Sequence, residues 1–285
     1  MSTSLTPPDA LDGPGPTDDA RRRQEAIAED AAGARRARRA ALVRYLGMPL
    51  FLAVVLLGLY LWVGAQELDS IEARTLTADN LIGQTRQHLA LTLYSTFFVL
   101  LLAVPLGILA TRPRLRRYAP VVIGLGNAGQ AIPSLGLLAL LFYLFRTQPA
   151  LPSTGTFPVV VSLVGYSFLP ILRNTMVGLD QVDRFVLEAG KGMGMSDRRV
   201  LRSIELPLAV PVVLAGVRTA LVLNVGTAAL AFLFGGGGLG ETIFAGFQLR
   251  RTSVLVTGAV LVAVLALLID YLAGLVEEKL TPKGL

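Results

Sequence analysis

Six apolar stretches dominate the chain, at 47–65, 89–111, 119–145, 158–178, 208–233 and 252–275. Each comes close to or exceeds the ~20 residues that an α-helix needs to cross the hydrocarbon of a bilayer. Lipid offers no hydrogen-bond partner to a bare peptide group, so segments of this kind fold as helices. They predict an all-α integral membrane protein with six transmembrane helices. Composition agrees: 53% of the 285 residues are hydrophobic and 16% are charged, an apolar excess too large for one soluble core. About 46 mostly polar residues precede the first stretch, GMPLFLAVVLLGLYLWVGA. A cleavable signal peptide starts much nearer its Met, so this stretch is expected to remain as an anchor, with Trp62 near its outer end.

Lys and Arg placement orients the spans. Arg21, Arg22, Arg23, Arg35, Arg36, Arg38, Arg39 and Arg44 precede the first. Arg112, Arg114, Arg116 and Arg117 fill the turn after the second. Arg173, Arg184, Lys191, Arg198, Arg199 and Arg202 lie in the 173–207 region, from the end of the fourth stretch to the start of the fifth, and Lys279 and Lys283 follow the sixth. If all six spans cross, these four regions share one side, and only Arg74, Arg86, Arg146, Arg250 and Arg251 fall on the other. Both termini are therefore expected on the cytoplasmic side. The net charge of +6 thus reads as topology rather than as a nucleic-acid face. With no cysteine and a single histidine, His88, neither disulfides, nor thiolate or zinc sites, nor a histidine base are expected.

The chain divides into a basic cytoplasmic tail at 1–40, a first span with its outer loop at 41–84, and a transmembrane domain at 85–280 that contains a polar loop at 183–207. The tail opens with STSLTPPDALDGPGPTDD, whose composition predicts disorder. Its Ala- and Arg-rich continuation has helical propensity. Two roles suit it: a solvated flank that enforces topology, or a clamp on anionic lipid.

Two stretches match the dinucleotide pattern G-x-G-x-x-G: GLGNAG at 124–129 and GGGGLG at 235–240. Neither follows a soluble strand in a βαβ unit, which that pattern requires. GLGNAG reads better as a small-residue face where helices approach, and GGGGLG as a turn or re-entrant loop buried in protein. No P-loop, H-E-x-x-H or G-x-S-x-G sequence is present, which argues against a membrane enzyme.

The loop EAGKGMGMSDRRVLRSIELP (188–207) is oddly polar for a link between spans. Asp183 is placed to cap a short helix from Arg184. Gly190, Gly192 and Gly194 then weaken it and permit positive φ. Ser196 is placed to cap a second short helix, with Asp197 in its first turn. That helix carries Val200, Leu201 and Ile204 on one side and Arg198, Arg199 and Arg202 largely elsewhere. Pro207 marks its end, near the return to the membrane. Two short helices with a glycine bend suit a docking device or a connector resting on the membrane surface.

The same stretch resembles the "EAA" signature of permease subunits in bacterial ABC importers: E-A-A, three residues, G, nine residues, I, one residue, L-P. Here it reads Glu188-Ala189-Gly190, Gly194, Ile204 and Leu206-Pro207, with Gly190 in place of the second alanine. QAIPSLGLLALL (130–141), LPILRNTMVGL (169–179), residues 188–222 and GGGGLGETIFAGF (235–247) further resemble the osmoprotectant group, which handles glycine betaine, choline and carnitine. Methionine importers are the nearest alternative. The likeness covers about 85–280. It implies a type I permease fold whose loop forms coupling helices on a separate ATP-binding subunit. Glu188, Ala189, Gly190, Gly194 and Ser196 would form the docked surface together with Ile204, Leu206 and Pro207, and Arg198 and Arg199 would pair with partner acids. It also implies a second permease subunit, the same or homologous, and an extracellular substrate-binding protein. The chain would sit in the bacterial inner membrane, bind no cofactor and act as no enzyme, leaving ATP and magnesium to the partner. An ATP-independent channel is the rival from another class, and it would have no use for such a loop.

Polar residues at membrane depth are costly and point to function. Arg218 lies near the middle of the fifth stretch and Asp270 towards the inner end of the sixth, so a structural or gating ion pair is expected. The competing reading satisfies Arg218 with helix carbonyls or water. Gln130, Ser134, Tyr166 and Asn224 are candidates for a polar translocation path, together with Arg218. Asn127 and Asn174 are further candidates, and for each an interhelical hydrogen bond is the alternative. Tyr166 could also offer a cation–π contact. Pro133 is placed to kink the third span.

Overall fold

The computed structural model describes residues 45–148 and 150–281. The basic tail at 1–40 lies outside them. By contacts the chain separates into Met1–Phe51 and Leu52–Leu285, and the architecture below is that of the second unit. Helix α1 (Tyr45–Gly64) runs through the boundary. The described residues are helical with no strand. After α1 come α2 (Ser70–Thr75), α3 (Ala78–Thr111), a 3₁₀ turn (Arg116–Tyr118), α4 (Ala119–Ala131), α5 (Ser134–Arg146) and α6 (Thr156–Asp180). Then follow α7 (Arg184–Gly192), α8 (Asp197–Val200), a π-turn (Leu201–Glu205), α9 (Leu206–Ala228), a 3₁₀ turn (Ala231–Phe234), α10 (Gly240–Gln248) and α11 (Thr252–Leu280).

Five of the six apolar stretches become helices long and apolar enough to span. The third does not form one kinked span. It breaks into α4 and α5, which meet at 103°. The cause is local. Ile132 adopts extended backbone angles, as the residue before a proline is pressed to do, and Pro133 has no N–H to continue the ladder. The pair still carries the chain across. Arg112, which caps α3, is ion-paired to Glu205, and Arg116 reaches Asp180 at the end of α6. At the start of α6, Gly155 N–H donates instead to Phe234 O at 2.8 Å. α4 therefore begins at one end of the bundle and α6 begins at the other.

The core is formed by α3, α6 and α9. Val99 and Ala103 meet Ile171, Leu172 and Ala220 in one buried cluster. Val225, Leu239, Leu265 and Ile269 join α9 to α11 in another. Lipid tails are as apolar as leucine, so such contacts depend on close packing of small residues. A Cβ on Gly107 of α3 would stand 2.8 Å from the Thr175 side chain of α6. One on Gly216 of α9 would stand 2.7 Å from Asn174 Cβ. In the GLGNAG face, one on Gly129 of α4 would stand 2.6 Å from Gly165 O of α6. By contrast α1 is almost wholly exposed, as suits a helix surrounded by lipid.

Pro207 does not close a short helix. From Asp197 to Ala228 the chain stays helical, passing through the π-turn into α9. There Leu206 N–H donates to Leu201 O, five residues back. The wider turn sits just before Pro207, whose ring removes the next donor. The expected second short helix is thus the projecting end of α9.

Candidate functional site

The loop between α6 and α9 lies at the bundle end marked by Arg112 and Arg116. Asp183 accepts the Phe185 N–H at 2.8 Å and caps α7. Within the nine residues of α7 only Gly190 is buried. A Cβ there would come within 2.8 Å of Ile204 Cδ1, so the departure from the alanine of the signature is matched by a side chain seated against it. The turn that follows needs glycine. Gly194 has φ +83, its N–H donates to Lys191 O, and Met195 N–H donates to Gly190 O. Lys191 Nζ reaches Asp197 Oδ1 at 2.9 Å across the bend. Ser196 occupies the cap position of α8, but its hydroxyl makes no capping bond.

Of the expected docking residues, Glu188, Ala189, Gly194, Ser196, Arg198, Arg199 and Pro207 are exposed, while Ile204 and Leu206 are half-buried. Gly190 faces inward. Beneath them Glu205 is buried and held by both terminal guanidinium nitrogens of Arg112, Nη1 donating to Oε1 at 3.1 Å and Nη2 to Oε2. The Glu205 carboxylate pushes the Arg112 guanidinium further up from its already high pKa. That pair anchors the base of the loop to the end of α3.

Two further residues stand out on this surface. Phe185 is 79% exposed and Met193 is 77% exposed. Burying apolar residues inward by rule overlooks them. The available signal is the run Phe185-Val186-Leu187, which at 100° per residue cannot all face one side of a helix. An aromatic and a flexible thioether beside a carboxylate resemble the anchors of protein interfaces.

The polar candidates inside the bundle separate into distinct settings. Pro170 lacks the N–H that would bond Tyr166 O, and Gln130 Nε2 of α4 donates to that carbonyl at 3.1 Å. Ser134 is half-buried at the start of α5. Arg218 Nη2 donates to Asp270 Oδ2 at 2.7 Å, while Nη1 lies 3.7 Å from Glu277 Oε2. The guanidinium crosses Gly274, where a Cβ would stand 3.4 Å from Nη1. Asn224 is fully buried and donates to Thr96 Oγ1 at 3.2 Å, so it lines no accessible surface of this chain. Asn127 accepts from Arg173 and Asn174 donates to Pro170 O.

Comparison with known proteins places this geometry. The family model for the binding-protein-dependent transport system inner membrane component matches residues 103–282. The glycine betaine/carnitine/choline transport system permease protein OpuCB of Bacillus subtilis is 42% identical over 205 residues, covering 72% of this chain and 90% of that protein. The osmoprotectant import permease protein OsmY of Salmonella typhimurium is 39% identical over 241 residues, covering 85% and 97%. Among solved structures, a chain of the inward-facing MetNI methionine ABC transporter is 26% identical with a TM-score of 0.61, covering 71% and 96%. From the broken α4–α5 pair to the end of α11, the chain belongs to the binding-protein-dependent transport system inner membrane component family.

Proposed function

We propose that this permease subunit imports quaternary-amine osmoprotectants such as glycine betaine, choline or carnitine, and that α7 and its bend are the seat of a separate ATP-binding subunit. The observation that carries the docking role is the exposed face of α7, where Phe185, Glu188, Ala189 and Met193 stand free of the bundle while Gly190 holds the helix to it. Force applied to α7 passes through Gly190 and Ile204 into the π-turn, which is continuous with α9. The substrate reading draws on the curated relatives. The solved methionine transporter supports the fold and leaves methionine as the alternative cargo. ATP and magnesium belong to the partner, and a second permease subunit and an outer binding protein complete the assembly. Both termini are cytoplasmic in this reading, on the side of Arg112, Arg116 and α7.

Glu188→Lys is expected to abolish co-purification with the ATPase and to lower ATP-driven uptake more than tenfold, with thermal stability unchanged. Unaltered association and ATP-driven uptake would sink the coupling role of α7; uptake that persists without ATP would favour a channel. Arg218 and Asp270 are proposed to tie α9 to α11 during the transport cycle. Each reversed singly, as Arg218→Asp or Asp270→Arg, is expected to lose uptake, and the double exchange to recover a measurable part. An exchange with no recovery counts against the pair.

A further inference from the structure

At the end of the bundle opposite α7, a crevice of about 310 Å³ opens between α3 and the glycine loop before α10. It is near the lower size limit of ligand pockets. Gln87 and Tyr94 of α3 line it together with Gly235, Gly236 and Gly237 of the loop, and Thr156 and Glu241 join the lining. No Lys or Arg lines it. Glu241 is exposed and has no cation partner among the described residues; its one polar neighbour is Gln84 Nε2 at 3.5 Å. Tyr94 is 55% exposed. The loop wall is built rather than incidental. Gly238 N–H donates to Gln87 Oε1 at 3.1 Å, and a Cβ on Gly237 would overlap that same amide.

We infer that this crevice receives the cationic head of a quaternary amine, with the Glu241 carboxylate supplying charge and the Tyr94 ring supplying a cation–π face. The inference rests on the substrate reading above. The chemistry favours this ligand over its rivals. A hard metal ion needs several oxygen ligands, and the described residues hold no group of three or more acids or histidines that could bind one. A primary ammonium needs acceptors for three N–H groups, and Gln87 Oε1 is already engaged by the loop. A trimethylammonium head donates no hydrogen bond, so one carboxylate and one aromatic face satisfy it. The crevice lies where solute delivered from outside would first meet the bundle, some distance from Gln130 and Tyr166.

The test uses the reconstituted transporter with its ATPase and binding protein. Glu241→Gln and Tyr94→Leu are each expected to raise KM for choline about tenfold with kcat held within about twofold, as loss of one charge or one cation–π contact implies. Tyr94→Phe keeps the ring and should behave as wild type. Equilibrium binding of radiolabelled choline to the permease–ATPase complex without binding protein should be saturable and lost in Glu241→Gln. Unchanged KM in both variants, or binding indifferent to Glu241, overturns the inference. If wild type transports no quaternary amine, the substrate reading fails. The binding assay then still decides the crevice: saturable choline binding that depends on Glu241 sustains it, and no binding overturns it.

Discussion

Helices α7 and α10 are each nine residues long and each follows or contains several glycines, yet they sit in the bundle in opposite ways. α10 is clamped. A Cβ on Gly240 would overlap Ala229 O, one on Gly246 would overlap the Leu255 backbone, and one on Gly258 of α11 would stand 2.8 Å from Ile243. The Phe244 ring packs on Phe232 with centroids 4.8 Å apart and planes tilted by 43°. α7 is held lightly, by side-chain ends that close on Gly190 and by the exposed Lys191–Asp197 pair, while Gly192 and the following Gly194 meet nothing within 4 Å. Glycine therefore does two different jobs here. At α10 it lets backbones touch, which fixes that end of the bundle. At α7 it frees the backbone and leaves a face bare, as a helix needs if it is to receive a partner and move with it.

Substituting the glycines tests this contrast. Gly240→Ala should have the largest effect, since overlap with a backbone carbonyl cannot be relieved by a rotamer change. A loss of about 3 kcal/mol or more is expected, read as a fall of the order of 10 °C in the apparent melting temperature of the purified protein. An unaltered melting temperature would break the picture of a clamped α10. Gly194→Ala should follow, at about 1 kcal/mol, from the left-handed backbone that only glycine adopts freely. Its signature is weaker ATPase association at nearly constant stability, and a variant with wild-type association would remove the bend from the docking surface. Gly190→Ala restores the alanine of the signature and should matter least, within ~1 kcal/mol, because Ile204 Cδ1 can turn aside. A loss of uptake as large as that of Glu188→Lys would mean that the seat of Ile204 is rigid after all.

Much of the architecture was legible beforehand. Apolar length names the spans, because lipid leaves the backbone no partner but itself. The place where α4 and α5 part is marked by Pro133. The size of that bend is not, since one proline permits either a kinked helix or a break. Asp183 and Ser196 both look like caps, but only Asp183 makes the bond. Local sequence states what a cap can do, and the path of the neighbouring chain decides whether it does so. Pro207 looked like a boundary because the rule for prolines assumes α-helical bonding, and the π-turn before it removes that assumption. The exposure of Phe185 and Met193 and the crevice at Tyr94 and Glu241 had no local mark strong enough to single them out. Exposure depends on what the rest of the bundle leaves uncovered.

By itself the sequence determined the solvent, the class and the order of the parts: an all-α membrane protein, its apolar segments in sequence, and a patterned loop of the permease type between two of them. These follow from hydropathy, helix length and spacing, which are properties of short stretches. Only the tertiary structure decided which residues meet. It set Arg218 across Gly274 against Asp270, Gln130 on the carbonyl that Pro170 leaves free, and Gln87 under the glycine loop beside Tyr94 and Glu241. Gln87 and Gly238 are 151 residues apart, and Arg218 and Asp270 are 52 apart. Such pairings arise from how packed helices are rotated against one another, which is settled by shape across the whole bundle.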